Sequence, residues 1–251
     1  MKVEERLRQA ITLNGAAHLT LIDPEKQPPD QAGEIASDAA AAGTDGIMVG
    51  GSTRASGKLL DDTVISIKRA TKLPVILFPA NDAGISRYAD AIFFMSMLNS
   101  RDIYYLIGAQ RLGAAIVKKF GIEPLPMGYL VVEPGGTVGR VGKADLIPRD
   151  NVELAVSYAL AAQYFGMRLV YLEAGSGADR PVPVEMVKAV REATSVILIV
   201  GGGIRTAEAA AERVKAGADI IVTGTVVEQA NDRRKKIEEI VQAVKTARRN
   251  R

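Results

Sequence analysis

A single-domain (β/α)8 TIM barrel is the fold the sequence predicts, and three observations lead there. Eight short apolar runs alternate with helical patterns along 251 residues, the count and size of that barrel. Glycine and polar residues recur where several of those runs end, as in Gly50-Gly-Ser52, Glu173-Ala-Gly-Ser-Gly177, Gly201-Gly-Gly203 and Gly224-Thr225. In a barrel all such ends meet on one face, whereas the rival fold, an open doubly wound sheet, should carry a G-x-G-x-x-G turn after its first strand, and none is present. No internal linker divides residues 1–251, so one domain is expected.

Val3 to Leu13 mixes Glu, Arg and Leu at helical spacing and reads as a helix covering one end of the fold. His18 to Ile22 is the first strand, ending in Asp23-Pro24, and Asp30 to Ala42 is an alanine-rich helix closed by Gly43. Gly46 to Val49 is the second strand, Leu59 to Ala70 the next helix and Val75 to Phe78 the third strand. Only about ten residues separate Phe78 from the fourth strand, Ala91 to Phe94, which is short for a crossover, so the helix there is expected to be missing or reduced. Ser100 to Phe120 is a long helical pattern, and Met127 to Val132 is the fifth strand, ending in Glu133-Pro-Gly-Gly136. Thr137 to Lys143, polar and glycine-rich, reads as a mobile loop. Helix Pro148–Phe165, strand Leu169–Glu173, helix Pro183–Ala193, strand Val196–Val200, helix Thr206–Ala216, strand Asp219–Thr223 and helix Asp232–Arg248 complete the alternation.

Composition removes several function classes. Without cysteine there are no disulfides, thiolate metal sites or cysteine nucleophiles. The net charge of +3 owes much to the tail after Arg233, which reads as a solvated helix, so no nucleic-acid partner is expected. No apolar run reaches the roughly 20 residues that span a bilayer, and no apolar N-terminal region signals export. A cytoplasmic location without stable membrane insertion is the expectation, with transient membrane contact left open.

Chemistry centres on Tyr171 to Gly177. Strand alternation turns Tyr171 and Glu173 to one face, placing a carboxylate beside a phenol at the mouth of a glycine turn. Glu173 reads as a general base or as an acceptor for backbone amides of its own loop; a carboxylate in an apolar strand is costly to bury without purpose. The turns after strands seven and eight stand where many barrels bind phosphate, through backbone amides and helix N-termini, and Thr206 is placed to cap the next helix. Asp23 shares a face with Leu21 and, with Ser52, offers hard oxygens for Mg²⁺ shared with a substrate phosphate; equally, Asp23 caps a turn ahead of Pro24. His18, the only histidine, lies at the far end of its strand and suggests a core or barrel-floor role. Asp61-Asp62 reads as a helix start. Phe93-Phe-Met-Ser-Met-Leu98, with Tyr104 and Tyr105, reads as core or as the border of a lipid groove.

Leu21-Ile-Asp-Pro24, Ile47-Met-Val-Gly-Gly-Ser52, Ala91-Ile-Phe-Phe-Met-Ser96 with Leu98-Asn-Ser100, Gly128-Tyr-Leu130, Tyr171 to Gly177 and Val200-Gly-Gly-Gly-Ile-Arg205 together resemble the geranylgeranylglyceryl phosphate synthase family, from about Leu19 to Gly224. The resemblance implies a prenyltransferase that joins geranylgeranyl diphosphate to sn-glycerol 1-phosphate, releases diphosphate and forms the first ether bond of archaeal lipids. It implies a barrel whose third helix is replaced by less regular structure. It assigns Mg²⁺ and the diphosphate to Asp23 and Ser52, and the catalytic base to Glu173. It assigns glycerol phosphate to Tyr171, Leu172, Glu173, Ala174, Gly175, Ser176, Gly177, Gly202, Gly203, Gly224 and Thr225. Bacterial relatives use a longer prenyl donor, and the family forms dimers and hexamers, so a homo-oligomer is expected. Sugar-phosphate isomerase or lyase barrels, and a non-catalytic phosphometabolite-binding barrel, are the alternatives.

Overall fold

The computed structural model describes residues 1–51, 55–225 and 232–247. Eight parallel strands close into a barrel in sequence order: β1 (Ala17–Ile22), β2 (Gly46–Gly50), β3 (Val75–Phe78), β4 (Ala91–Met97), β5 (Glu123–Val131), β6 (Leu169–Glu173), β7 (Ile197–Gly201) and β8 (Ile220–Thr223). Closure comes from β8 pairing with β1, Ala17 opposite Ile220 through Thr20 opposite Thr223. Side-chain alternation sorts the core into layers. Leu19, Met48, Ile76, Phe93, Met127, Tyr171, Ile199 and Val222 fill the interior, while Ile47, Leu77, Val170, Leu198 and Ile221 face the helices.

The described helices are α1 (Val3–Asn14), α2 (Pro29–Ala41), α3 (Gly57–Ala70), α4 (Ala109–Phe120), α5 (Gly136–Val141), α6 (Val152–Tyr164), α7 (Val184–Ala193), α8 (Ala207–Ala216) and α9 (Arg233–Ala247). α1 seals the N-terminal end, as expected: Val3 and Leu7 join the interior cluster. The Glu123 carboxylate at the start of β5 accepts the first amides of α1, from Val3 at 2.6 Å and Glu4 at 3.2 Å. Asn151 caps α6 and Thr206 caps α8, each accepting an amide at 3.1 Å, a contact worth about 1 kcal/mol.

Four features depart from the sequence reading. β5 starts at Glu123 rather than Met127, because Pro124 and Pro126 lie where β5 pairs with β4 while β6 begins only opposite Met127; a missing N–H is harmless on that unpaired side. The pattern Ser100–Phe120 is not one α-helix but a π-helical turn, Tyr104–Gly108, feeding α4. Thr137–Lys143 is not a loop, since α5 occupies it. Gly135 and Gly136 at φ 70° and 54° turn the chain, Gly139 packs under Leu146, and Ser100 Oγ ties down the Gly142 carbonyl at 2.6 Å. α6 starts at Val152 rather than Pro148, because Ile147 still pairs beside Val132.

The expected loss after β3 is present, for residues 79–90 carry turns and no helix. His18 has a core role but not at the floor: it faces the outer layer, fully buried, with its ring nitrogens 2.8 Å from Thr44 Oγ1 and 2.9 Å from Thr223 Oγ1. Burial, reinforced by the charge of Lys245, pushes its pKa down to about 3, so it is neutral. Asp61 and Asp62 lie within α3, accepting from Ser86 and Lys58 at 2.5 Å each.

Candidate active site

The last residue of β6 organises the C-terminal mouth. Glu173 is 6% exposed, and a buried carboxylate costs on the order of several kcal/mol unless hydrogen bonds replace water. Its own turn supplies one, the Gly175 N–H donating to Oε1 at 2.7 Å, and β5 supplies another, the Tyr129 hydroxyl donating to Oε2 at 3.2 Å. Register places Tyr129 beside Tyr171 and Val131 beside Glu173, so the two phenols stack below the carboxylate. Their ring centroids are 5.2 Å apart, with Phe78 5.6 and 5.7 Å away.

Burial pushes the Glu173 carboxyl above the usual range, and the Gly175 amide with the Tyr171 and Tyr129 hydroxyls pulls it part of the way back. Burial, together with the Glu173 charge, holds both phenols well above their ordinary values, so they remain protonated donors. A raised carboxylate held by neutral donors can accept a proton near neutral pH.

On one side of Glu173 lies a pocket lined by the turns after β6, β7 and β8. Ser176, Gly177, Gly202, Gly203, Gly224 and Thr225 meet here with Tyr171 and Glu173. Ser176 and Thr225 bridge it, their hydroxyls 3.0 Å apart. Gly202 sits at φ 79°, and a Cβ there would stand 2.3 Å from Glu173 Oε1, so this glycine is a spatial necessity. The side chains of Leu172 and Ala174 stand apart from this pocket. Both turn outward into the helix-facing core, and the Ala174 amide and carbonyl are bonded to Gly201 and Gly135. Gly175 contributes its amide to Glu173 and crowds against Gly135, shaping the pocket from behind.

Asp23, expected as a metal ligand, stands beyond β1 with 7% exposure. It also performs the alternative role: Oδ1 accepts the Glu25 amide at 3.1 Å. Oδ2 faces Gly51, where a Cβ would lie 2.9 Å away, and Lys26 Nζ is 3.8 Å from it. Ser52 lies outside the described residues. Among the described residues no three His, Cys, Asp or Glu side chains gather as a metal cage. One hard carboxylate beside small residues suits Mg²⁺, which commonly takes one or two protein oxygens together with substrate phosphates.

Beyond Tyr129 an apolar groove runs outward where the helix after β3 is lost. Phe93, Phe94, Met95 and Met97 of β4 line it with Tyr105, whereas Leu98 packs into the outer core and Ser96 bonds the Leu106 carbonyl at 2.6 Å. Tyr104 lies in the adjoining cavity, its hydroxyl on Asp82.

Sequence reasoning missed four contributors. Tyr129 stood in the Gly128-Tyr-Leu130 motif with no role assigned to it. Arg205 lines the polar pocket and donates to the Gly177 carbonyl at 2.7 Å; a cation after three glycines was the available signal. Val138 and Val141 wall the groove from a segment expected to be loop.

A model of the PcrB family matches residues 9–244. The geranylgeranylglyceryl phosphate synthase of Methanothrix thermoacetophila is 58% identical over 243 residues, 96% of this chain and 95% of its own. That of Methanosarcina mazei is 58% identical over 246 residues, covering 98% and 100% of the two chains. The crystal structure of the (S)-3-O-geranylgeranylglyceryl phosphate synthase of Thermoplasma acidophilum in complex with its substrate sn-glycerol-1-phosphate superposes with a TM-score of 0.93 at 50% identity, covering 98% of this chain and 99% of that one.

Proposed function

The chain belongs to the PcrB family, and from that membership we propose that it transfers the geranylgeranyl group from its diphosphate to the 3-hydroxyl of sn-glycerol 1-phosphate. The observation that carries this reading is the position of Glu173, which lines a pocket of backbone turns and accepts a hydrogen bond from Tyr129, itself part of the apolar groove's lining. Both substrates must meet at such a seam, because one is an anchored phosphate and the other a long hydrocarbon ending in diphosphate.

The glycine turns and Arg205 hold the phosphate and fix the hydroxyl near Glu173, converting an encounter in solution into a local one. The hydroxyl oxygen forms a bond to the allylic carbon as the bond from that carbon to diphosphate breaks. Glu173 takes the hydroxyl proton, and diphosphate leaves. Tyr129 and Tyr171 keep the carboxylate pointed at the pocket, and the aromatic floor keeps water from the allylic carbon. Asp23 would hold Mg²⁺, which supplies neutralising charge for the diphosphate; Ser52 remains the second expected ligand.

A cytoplasmic location and a homo-oligomeric state belong to the same proposal. Adjacent exposed aromatics at the end of α6, Tyr164 at 78% and Phe165 at 75%, support an assembly surface.

Diphosphate release from sn-glycerol 1-phosphate and prenyl donors of fifteen, twenty and thirty-five carbons tests the reading. Release is expected to be fastest with twenty carbons and lost with the sn-3 enantiomer or with EDTA. Absence of release with every donor, despite glycerol phosphate binding, would favour an isomerase or binding barrel instead.

A further inference from the structure

The groove does not end against protein. Val141 of α5 lines it and is still 43% exposed; Ile103, just before the π-helical turn that carries the groove residue Tyr105, is 73% exposed, and Ile107 within that turn is 59% exposed. Large apolar side chains grouped on a surface mark an interaction site more often than ones scattered singly. α5 and the segment before the π turn form one ledge. The Arg101 amide donates to the Lys143 carbonyl at 3.0 Å, Ser100 Oγ donates to the Gly142 carbonyl at 2.6 Å, and Lys143 Nζ pairs with Asp102 at 2.7 Å.

On its surface the ledge carries a shallow basic pocket in which Arg101, Arg140 and Lys143 converge with no carboxylate in the lining. Among the described residues neither Arg101 nor Arg140 pairs with an acidic side chain; Arg140 donates only to Thr137 Oγ1, at 3.1 Å. The acidic groups of the ledge are Asp102, already paired with Lys143, and Asp145. No described helix is long and apolar enough to cross a membrane, so any membrane contact by these residues is peripheral.

We propose that this ledge docks on the surface of an anionic lipid bilayer, Ile103, Ile107 and Val141 entering the interface while Arg101 and Arg140 meet lipid phosphates, with the groove mouth opening toward the acyl chains. An apolar tip flanked by cations is the combination that binds anionic interfaces, where burial and charge attraction add. The proposal rests on the prenyl-transfer reading only for its purpose. Donor and product tails then pass between bilayer and groove without crossing water.

Sedimentation of the full chain with vesicles, in the absence of both substrates, tests docking separately from catalysis. Phosphatidylglycerol vesicles are expected to carry the protein down and phosphatidylcholine vesicles not, with binding falling as salt rises. Arg101→Glu with Arg140→Glu should weaken binding by about 30-fold or more, at about fivefold for each cation lost. Ile103→Ser with Ile107→Ser should weaken it at any salt. Turnover of a water-soluble short-chain donor should be unchanged in both variants, which also shows that they fold. Equal binding to the two vesicle types, no binding to either, or variants that alter only the oligomeric mass in sedimentation velocity would overturn the proposal, the last outcome assigning the ledge to contacts between copies.

Discussion

On one side of Glu173, β6, β7 and β8 run into tight glycine turns; on the other, β3, β4 and β5 run into a helix-free connection, a π-helical turn and the six-residue α5. The polar side offers backbone at fixed positions, so a Cβ at Gly202 or Gly203 would strike its neighbours within 2.9 Å. The apolar side is walled by Met, Tyr, Val and Ile side chains with rotamer freedom. An anion is held best by donors that do not reorganise, whereas a flexible hydrocarbon needs only dry volume, and omitting one helix supplies that volume. The regular half therefore fixes position and the irregular half accommodates length.

Substitutions should separate the halves. Glu173→Gln removes the proton acceptor and keeps the shape; turnover should fall by about 10²- to 10⁴-fold with glycerol phosphate binding retained, as single-turnover kinetics and calorimetry would show. Equal turnover would remove Glu173 from the chemistry. Gly202→Ala places a methyl against Glu173 Oε1 and strains a residue at φ 79°, at a cost of about 1–3 kcal/mol. The KM for glycerol phosphate should rise at least about tenfold, with affinity for the prenyl donor unchanged. A matching loss on the prenyl side would mean that the two halves are not independent.

Ala109→Phe, in the groove wall, should act in the opposite sense, weakening the twenty-carbon donor by about tenfold relative to a fifteen-carbon one while leaving glycerol phosphate untouched. The smallest expected effect belongs to Tyr129→Phe. Its hydroxyl favours the charged form of Glu173, so removing it raises that carboxyl further, and a base must be deprotonated to act. The acidic limb of kcat/KM should move to higher pH with the plateau nearly preserved, read from a pH profile; a shift to lower pH would contradict the donor role.

The polar half was the legible one. β6 came out of the sequence with its observed bounds, and Gly202 and Gly203 after β7 announced their turn because left-handed backbone and close approach admit little else. Which residues of Tyr171 to Gly177 turn their side chains to the pocket was not legible for Leu172 and Ala174, since a motif spans both faces of a strand and theirs is the outer one. The groove half was legible as an absence, the missing helix after β3, and in the Phe93 to Leu98 run with Tyr105 as one possible border, but its α5 wall was not. α5 was hidden because glycine, valine and threonine are indifferent helix formers, and it forms where Leu146, Ser100 and the barrel mouth hold it.

Alternation of strand and helix, and the residue types at the strand ends, were fixed along the chain: apolar periodicity and glycine conformation are local properties, and they carry the barrel and the glycine turns at its mouth. Convergence was not. The Tyr129 hydroxyl reaching Glu173 across 44 positions, the pairing of Ser176 with Thr225 across 49, and the walls of the groove arise from barrel closure and strand register. Those set which distant side chains share a face, and no local pattern encodes them.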